Sequence, residues 1–185
     1  MRILTGVCAL VVCCANAVAG EIDLSFNSDA VRAIYVHDFV NSDLSGDIGF
    51  LTNSDKGEVI NASIFLQGFA SDGVNPVQGT LGLRSGYVSG DDSGQDGIPF
   101  AIGGALRFTL PDYDRFSIRG EAWFAPDALS TGDIDKYQDF NIRLQYAFLR
   151  EADVFVGARY VNVEFSNDSE QTFDNGMNAG FNIRF

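Results

Sequence analysis

Apolar and polar residues alternate with period two over much of the chain. In the last ten residues, 176–185, odd positions are apolar (Met177, Ala179, Phe181, Ile183, Phe185) and even positions are polar or glycine (Asn178, Gly180, Asn182, Arg184). Residues 139–148 place Phe140, Ile142, Leu144, Tyr146 and Phe148 on one face, opposite Asp139, Asn141, Arg143, Gln145 and Ala147. Upstream, Phe116, Ile118, Gly120, Ala122 and Phe124 oppose Ser117, Arg119, Glu121 and Trp123. Before them, Phe100, Ile102, Gly104, Leu106 and Phe108 oppose Ala101, Gly103, Ala105 and Arg107. Such alternation predicts strands with one apolar and one polar face. Three of these strands set phenylalanines eight residues apart on the apolar face: Phe100/Phe108, Phe116/Phe124 and Phe140/Phe148. Eight residues extend roughly 26 Å along a strand, or about 20 Å of height once tilted, close to the apolar band of a membrane barrel with its aromatic girdles. A soluble sandwich also alternates, but it gives no reason for phenylalanine at both ends of the apolar face with arginine between them on the other. The pattern predicts an all-β fold, a transmembrane up-and-down antiparallel β-barrel.

Turn-rich stretches set the strand count. Long connections are expected at 166–175, 125–138 and 90–98, alternating with short ones at 149–152 and 110–114. Upstream, turns fall at 70–78, 53–57, 40–43 and 28–29, giving ten strands with both chain ends in the periplasm. Eight strands follow instead if residues 22–39 form one long strand with an irregular piece.

The start of the chain changes the picture in one respect. Arg2, the apolar run over residues 3–15 and the small-x-small step Ala17-Val18-Ala19 read as a cleaved secretory leader over residues 1–19. Residues 20–185 are then the barrel domain. Cys8, Cys13 and Cys14 all lie in the leader, which removes disulfides and thiolate chemistry from the mature chain. The net charge of −13 offers no basic stripe to neutralise phosphates, which argues against a nucleic-acid partner. No apolar run of helical length follows the leader, so a bilayer span has to be built from strands.

Two resemblances follow from particular residues. The terminal amphipathic strand ending at Phe185 resembles the closing strand of bacterial outer-membrane barrels, which the barrel assembly machinery reads as a signal. The stretch 116–132, with Gly120-Glu121 and Pro126-Asp127-Ala128-Leu129-Ser130, is similar to the strand-and-loop signature of the YfaZ family. Residues 137–141 and Gly157-Ala158-Arg159-Tyr160-Val161-Asn162-Val163 resemble it too, and residues 44–66 do so loosely. The resemblance implies an outer-membrane barrel with no assigned chemistry. The expected location is the outer membrane of a Gram-negative bacterium, as a monomer in contact with lipid and lipopolysaccharide.

Candidate chemistry lies mainly on the polar face. Arg32, Arg84, Arg107, Arg119, Arg143, Arg159 and Arg184 share it with Asp38, Asp47, Glu121 and Asp139. An arginine at mid-depth on the lipid face costs roughly 2–4 kcal/mol, so these residues are expected to line the lumen. There they either plug the barrel by pairing or line a narrow anion-favouring path, giving a structural barrel or a restricted pore. An enzymatic reading rests on His37 alone, near Ser42, a spacing with no catalytic logic behind it. Residues 90–97 are acidic, but Gly94 holds the central ligand position of a calcium loop, so neither metal nor cofactor is expected. In the connection 125–138, Pro126 can start a helical turn, with Leu129 and Ile134 placed to cover the barrel mouth or meet a surface partner.

Overall fold

The computed structural model describes residues 19–69, 71, 77–90, 94–166 and 169–185. The leader up to residue 18, its cysteines, and the acidic tips at 72–76, 91–93 and 167–168 lie outside the described residues. The strands are β1 (Gly20–Phe26), β2 (Ala30–Asp38), β3 (Leu44–Asn53), β4 (Gly57–Phe69), β5 (Val77–Gly90) and β6 (Asp96–Thr109). They continue as β7 (Phe116–Ala125), β8 (Ser130–Gly132), β9 (Ile134–Ala147), β10 (Ala152–Phe165) and β11 (Glu170–Arg184). All neighbours are antiparallel, in the order β5-β4-β3-β2-β1-β11-β10-β9-β7-β6, and β5 pairs with β6 to close the ring. Ten strands form the barrel. The three-residue β8 pairs with β6 from Gly97 to Pro99, beside it where β7 has already ended.

Closure removes both sheet edges, so backbone groups inside the lipid band find partners in the ladder. At the seam, the Gly20 amide donates to the Phe185 carbonyl at 2.9 Å and the Phe185 amide donates back to Gly20 at 2.9 Å. The end that carries both chain termini is the terminal end; the other is the distal end. The terminal-end turns use Asn41 (φ 59°) and Asp112 (φ 63°) in the left-handed region, which Asn and Asp tolerate best among non-glycine residues.

The period-two faces sort as the ring requires. Ile102, Leu106, Ile142 and Val156 point outward and are more than half exposed, whereas Asp139, Arg143, Gln145 and Asp153 point inward and are buried. This sign reversal relative to a soluble core is the lipid signature: the outer surface meets hydrocarbon and needs no water. Replacing Ile142, 58 % exposed at mid-wall, with arginine is expected to destabilise the barrel by about 2–4 kcal/mol. Asn141→Arg, on the inner face, is the comparison. Urea titrations in lipid vesicles, followed by the fluorescence of the single Trp123, measure the difference.

Two connections differ from the sequence expectation. The stretch 166–175 is mostly strand: β11 starts at Glu170, because Gln171 and Phe173 turn inward and are buried. The register skips Phe173 between Thr172 and Asp174, a bulge that sends both Phe173 and Asp174 into the interior. The connection 125–138 is likewise short of free loop. A 3₁₀ turn over Asp127–Leu129 leads into β8, and β9 begins at Ile134.

Strand length explains what the extra residues do. β5, β6, β9 and β10 each have 14 residues and β11 has 15, against the ~9–11 that span a bilayer. At the distal end the pattern inverts. Val161, Val163 and Phe165 lie inside, while Lys136 and Glu164 pair on the outside at 2.8 Å. The barrel there, its distal cap, carries a charged pair on its outside around an apolar interior.

Candidate functional site

The interior is layered. In the distal cap Val59, Val88, Ile134, Val161, Val163, Phe165 and Phe173 are at most 2 % exposed and form one cluster with Leu51, Trp123 and Tyr137. Of the two residues expected to cover the mouth, Ile134 belongs to this cluster and Leu129 is 39 % exposed. Burying apolar area at roughly 25 cal/mol per Å² stabilises this plug as it would a soluble core.

Beneath the cap lies a layer of charge. Arg32 Nη2 donates to Asp139 Oδ2 at 3.1 Å, and Arg84 Nη1 donates to the same oxygen at 3.0 Å. Arg84 Nη2 donates to Glu121 Oε1 at 3.0 Å and its Nε to Ser63 Oγ at 2.9 Å; Ser63 in turn donates to Asp47 at 2.8 Å. Trp123 secures this group from above: its indole N–H donates to Glu121 at 2.7 Å, and the Arg84 guanidinium lies 4.1 Å from its ring centre. Room for the indole comes from Gly103, where a Cβ would sit 2.8 Å from the Trp123 ring and 2.1 Å from the Ala122 carbonyl. Two further pairs form inside the barrel, Arg143 with Asp23 at 2.5 Å and Arg159 with Asp174 on the adjoining strand. Arg143 also stacks on Phe155, 4.5 Å from its ring centre. Planar guanidinium forks that stay ionised suit such shared, buried carboxylates.

Among these groups lies a small cavity of about 30 Å³, lined by Asp23, Arg32, Arg84, Glu121, Asn141 and Arg143 among others. At roughly 10–15 Å³ per water, it has room for about two. A larger, open recess of about 680 Å³, bounded by Leu106, Gly120 and Ile142, also touches Glu121, Asn141 and Arg159.

Toward the terminal end the arginines become accessible. The side chains of Arg107, Arg119 and Arg184 are 26, 26 and 31 % exposed, against 3 % for Arg32 and Arg84. Arg184 Nη1 donates to Asp153 Oδ2 at 2.8 Å, and Arg107 Nη2 reaches the same oxygen at 3.4 Å. Among the described residues Arg119 pairs with Glu121, at 4.0 Å.

Of the acids read from the sequence, Asp47, Glu121 and Asp139 face arginines. Asp38 does not: it accepts from Ser45 and Gln67 near the terminal rim. Asp23, Asp153 and Asp174 carry pairs that the sequence reading missed. Their one visible signal is an inward phase on a strand. The six phenylalanines all face outward. Phe100, Phe108, Phe124, Phe140 and Phe148 are 36–49 % exposed, and Phe116 packs 4.9 Å from the Tyr146 ring. His37 faces outward too, edge-on to Phe39 at 5.2 Å, while Ser42 accepts from the Leu44 amide. Among the described residues no group of His, Cys, Asp and Glu is arranged to hold a metal ion.

A closed antiparallel ring with an apolar exterior and a charged interior is a transmembrane β-barrel of the outer-membrane type. The chain belongs to the YfaZ precursor family, whose model matches residues 2–185. No curated protein matches it. Among solved structures it is similar to the outer membrane channel DcaP of Acinetobacter baumannii, with 11 % identity and a TM-score of 0.47. That match covers 88 % of this chain and 54 % of DcaP, so the chain spans about half the length of that channel. It is also similar to a KdgM porin in complex with disordered oligogalacturonate, with 11 % identity, a TM-score of 0.47, and coverage of 91 % and 99 %.

Proposed function

We propose that this barrel is occluded and serves as a structural outer-membrane element, working through its surfaces and not by passing solutes. The observation that carries this reading is the carboxylate of Asp139, held by Arg32 and Arg84 from across the lumen beneath a closed apolar cap. A hydrated solute would have to break these pairs and also enter the space filled by Val59, Val88, Phe165 and Phe173. Either step removes charge from its partners or water from the solute, and the two obstacles lie in series. The outward phenylalanines serve as the girdles that seat the barrel in lipid, with Phe185 as the assembly signal. The distal cap projects among lipopolysaccharide headgroups, and the exposed Leu129 beside Asp127 offers a recognition point for a surface partner.

The test is single-channel recording in a planar bilayer across a salt gradient, with folding verified by the heat-dependent shift in gel mobility. The expected trace is silent. Discrete openings with an anion-selective reversal potential would overturn the occluded reading and establish a restricted pore lined by Arg32, Arg84, Arg143 and Arg159.

A further inference from the structure

The arginines near the terminal end are arranged as if for something other than one another. In the register Arg107 lies directly opposite Arg119, and Arg119 directly opposite Arg143, all on the inner face of three adjacent strands. Like charges placed directly opposite destabilise a sheet, so each needs a counter-charge. Arg143 has one in Asp23. Arg107 shares Asp153 with Arg184 and is the more distant of the two, while Glu21, opposite Arg184 on the neighbouring strand, accepts from Asn182. Arg119 is the least provided. Its one carboxylate among the described residues, Glu121, lies at 4.0 Å and already serves Arg84 and Trp123 at 3.0 and 2.7 Å. Its Nε is buried and has no hydrogen-bond partner among the described residues.

Arg107 and Arg184 thus face Asp153 and Glu21, while Arg119 shares Glu121 with Arg32 and Arg84, in a chain whose formal net charge is −13. The side chains of Arg107, Arg119 and Arg184 are a quarter to a third exposed and so reachable from the terminal side, yet they sit within the barrel wall. Ser117 accepts from Arg107 Nε at 3.1 Å and donates to Gln145, which orients that fork instead of leaving it free to move. A positioned, partly desolvated guanidinium lacking hydrogen bonds is a receptor for planar or tetrahedral oxygen anions.

We propose that this arginine cluster binds a small oxyanion, of the carboxylate or phosphate class, from the aqueous compartment on the terminal side. Arg119 and Arg107 are its principal donors, with Arg184 at the rim. Lipid headgroups offer the same chemistry, but the donors point into the lumen and not toward the outer surface where headgroups lie. The site is a blind pocket if the barrel is occluded and the inner mouth of a path if it is not. It therefore stands independently of the conduction result.

The experiment is calorimetric titration of the full chain, folded in zwitterionic detergent, with inorganic phosphate at constant ionic strength. The expected result is saturable binding of one phosphate per chain. Arg119→Gln should weaken it about tenfold, or about 1.4 kcal/mol. Arg150→Gln, which removes the same charge from an exposed terminal-end turn, should change it less than twofold. Should Arg119→Gln fail to show the folded gel mobility, Arg107→Gln takes its place with the same expectation. Vesicles containing phosphatidylglycerol, added in place of phosphate, should not compete with the anion. Absence of saturable binding, equal weakening in Arg119→Gln and Arg150→Gln, or displacement of phosphate by the vesicles would each overturn the proposal.

Discussion

Asp139→Ala is expected to destabilise the folded barrel by about 3–5 kcal/mol, the range for removing one partner from a buried ion pair. The effect is large because the lost carboxylate is shared. Arg32 and Arg84 both hold it, and the three side chains are only 2–3 % exposed. Without it, two guanidiniums remain in a space with room for about two waters and too few acceptors. Asp139→Asn keeps the shape but not the charge and should lose nearly as much. The exposed pair at the distal surface provides the contrast: Lys136→Ala breaks a contact at 2.8 Å between side chains 34 and 42 % exposed, and should cost about 1 kcal/mol or less. Urea titrations in vesicles, read from Trp123 emission, test all three. A loss below about 1 kcal/mol for Asp139→Ala would mean the arginine layer is well hydrated, and would weaken the case for occlusion with it.

Phe173→Ala should cost a similar amount, about 3–5 kcal/mol, for a different reason. Phe173 is fully buried in the distal cap, placed there by the bulge in β11. Truncation leaves a cavity that the surrounding strands, tied by the closed ladder, cannot collapse to fill. Met177→Ala is the control: it lies four residues along the same strand, faces lipid and is 73 % exposed, so it should change stability little. Phe173 and Trp123 belong to one cluster, so Phe173→Ala should also shift the Trp123 emission of the folded state to the red. An unchanged emission with unchanged stability would place the cap in contact with water and deny it the role of a plug.

The two faces of residues 139–148 were legible in the chain itself. Alternation is local, and an arginine at mid-depth on the lipid face is too costly to persist there. The turn at 28–29 separated β1 from β2 and favoured ten strands over eight, and the ring has ten. Residues 166–175 misled, because Ser, Asn, Asp and Glu there read as turn formers. Inside the folded cap, Gln171 and Phe173 had an interior to enter, and strand pairing prevailed over local preference.

Sequence alone determined the class of the molecule, since facing lipid on one side and polar groups on the other is written residue by residue with period two. It also set the arginines on the polar face of their strands. Only the tertiary structure decided what they meet. Arg32 and Asp139 are 107 positions apart, and Asp23 and Arg143 are 120 apart. Their meeting depends on the tilt and stagger with which the ring closes. The apolar cap follows the same rule. The phase change from Tyr160 to Val161 is visible in the chain, but whether the inward side there is dry depends on strands from every part of the barrel arriving at one end.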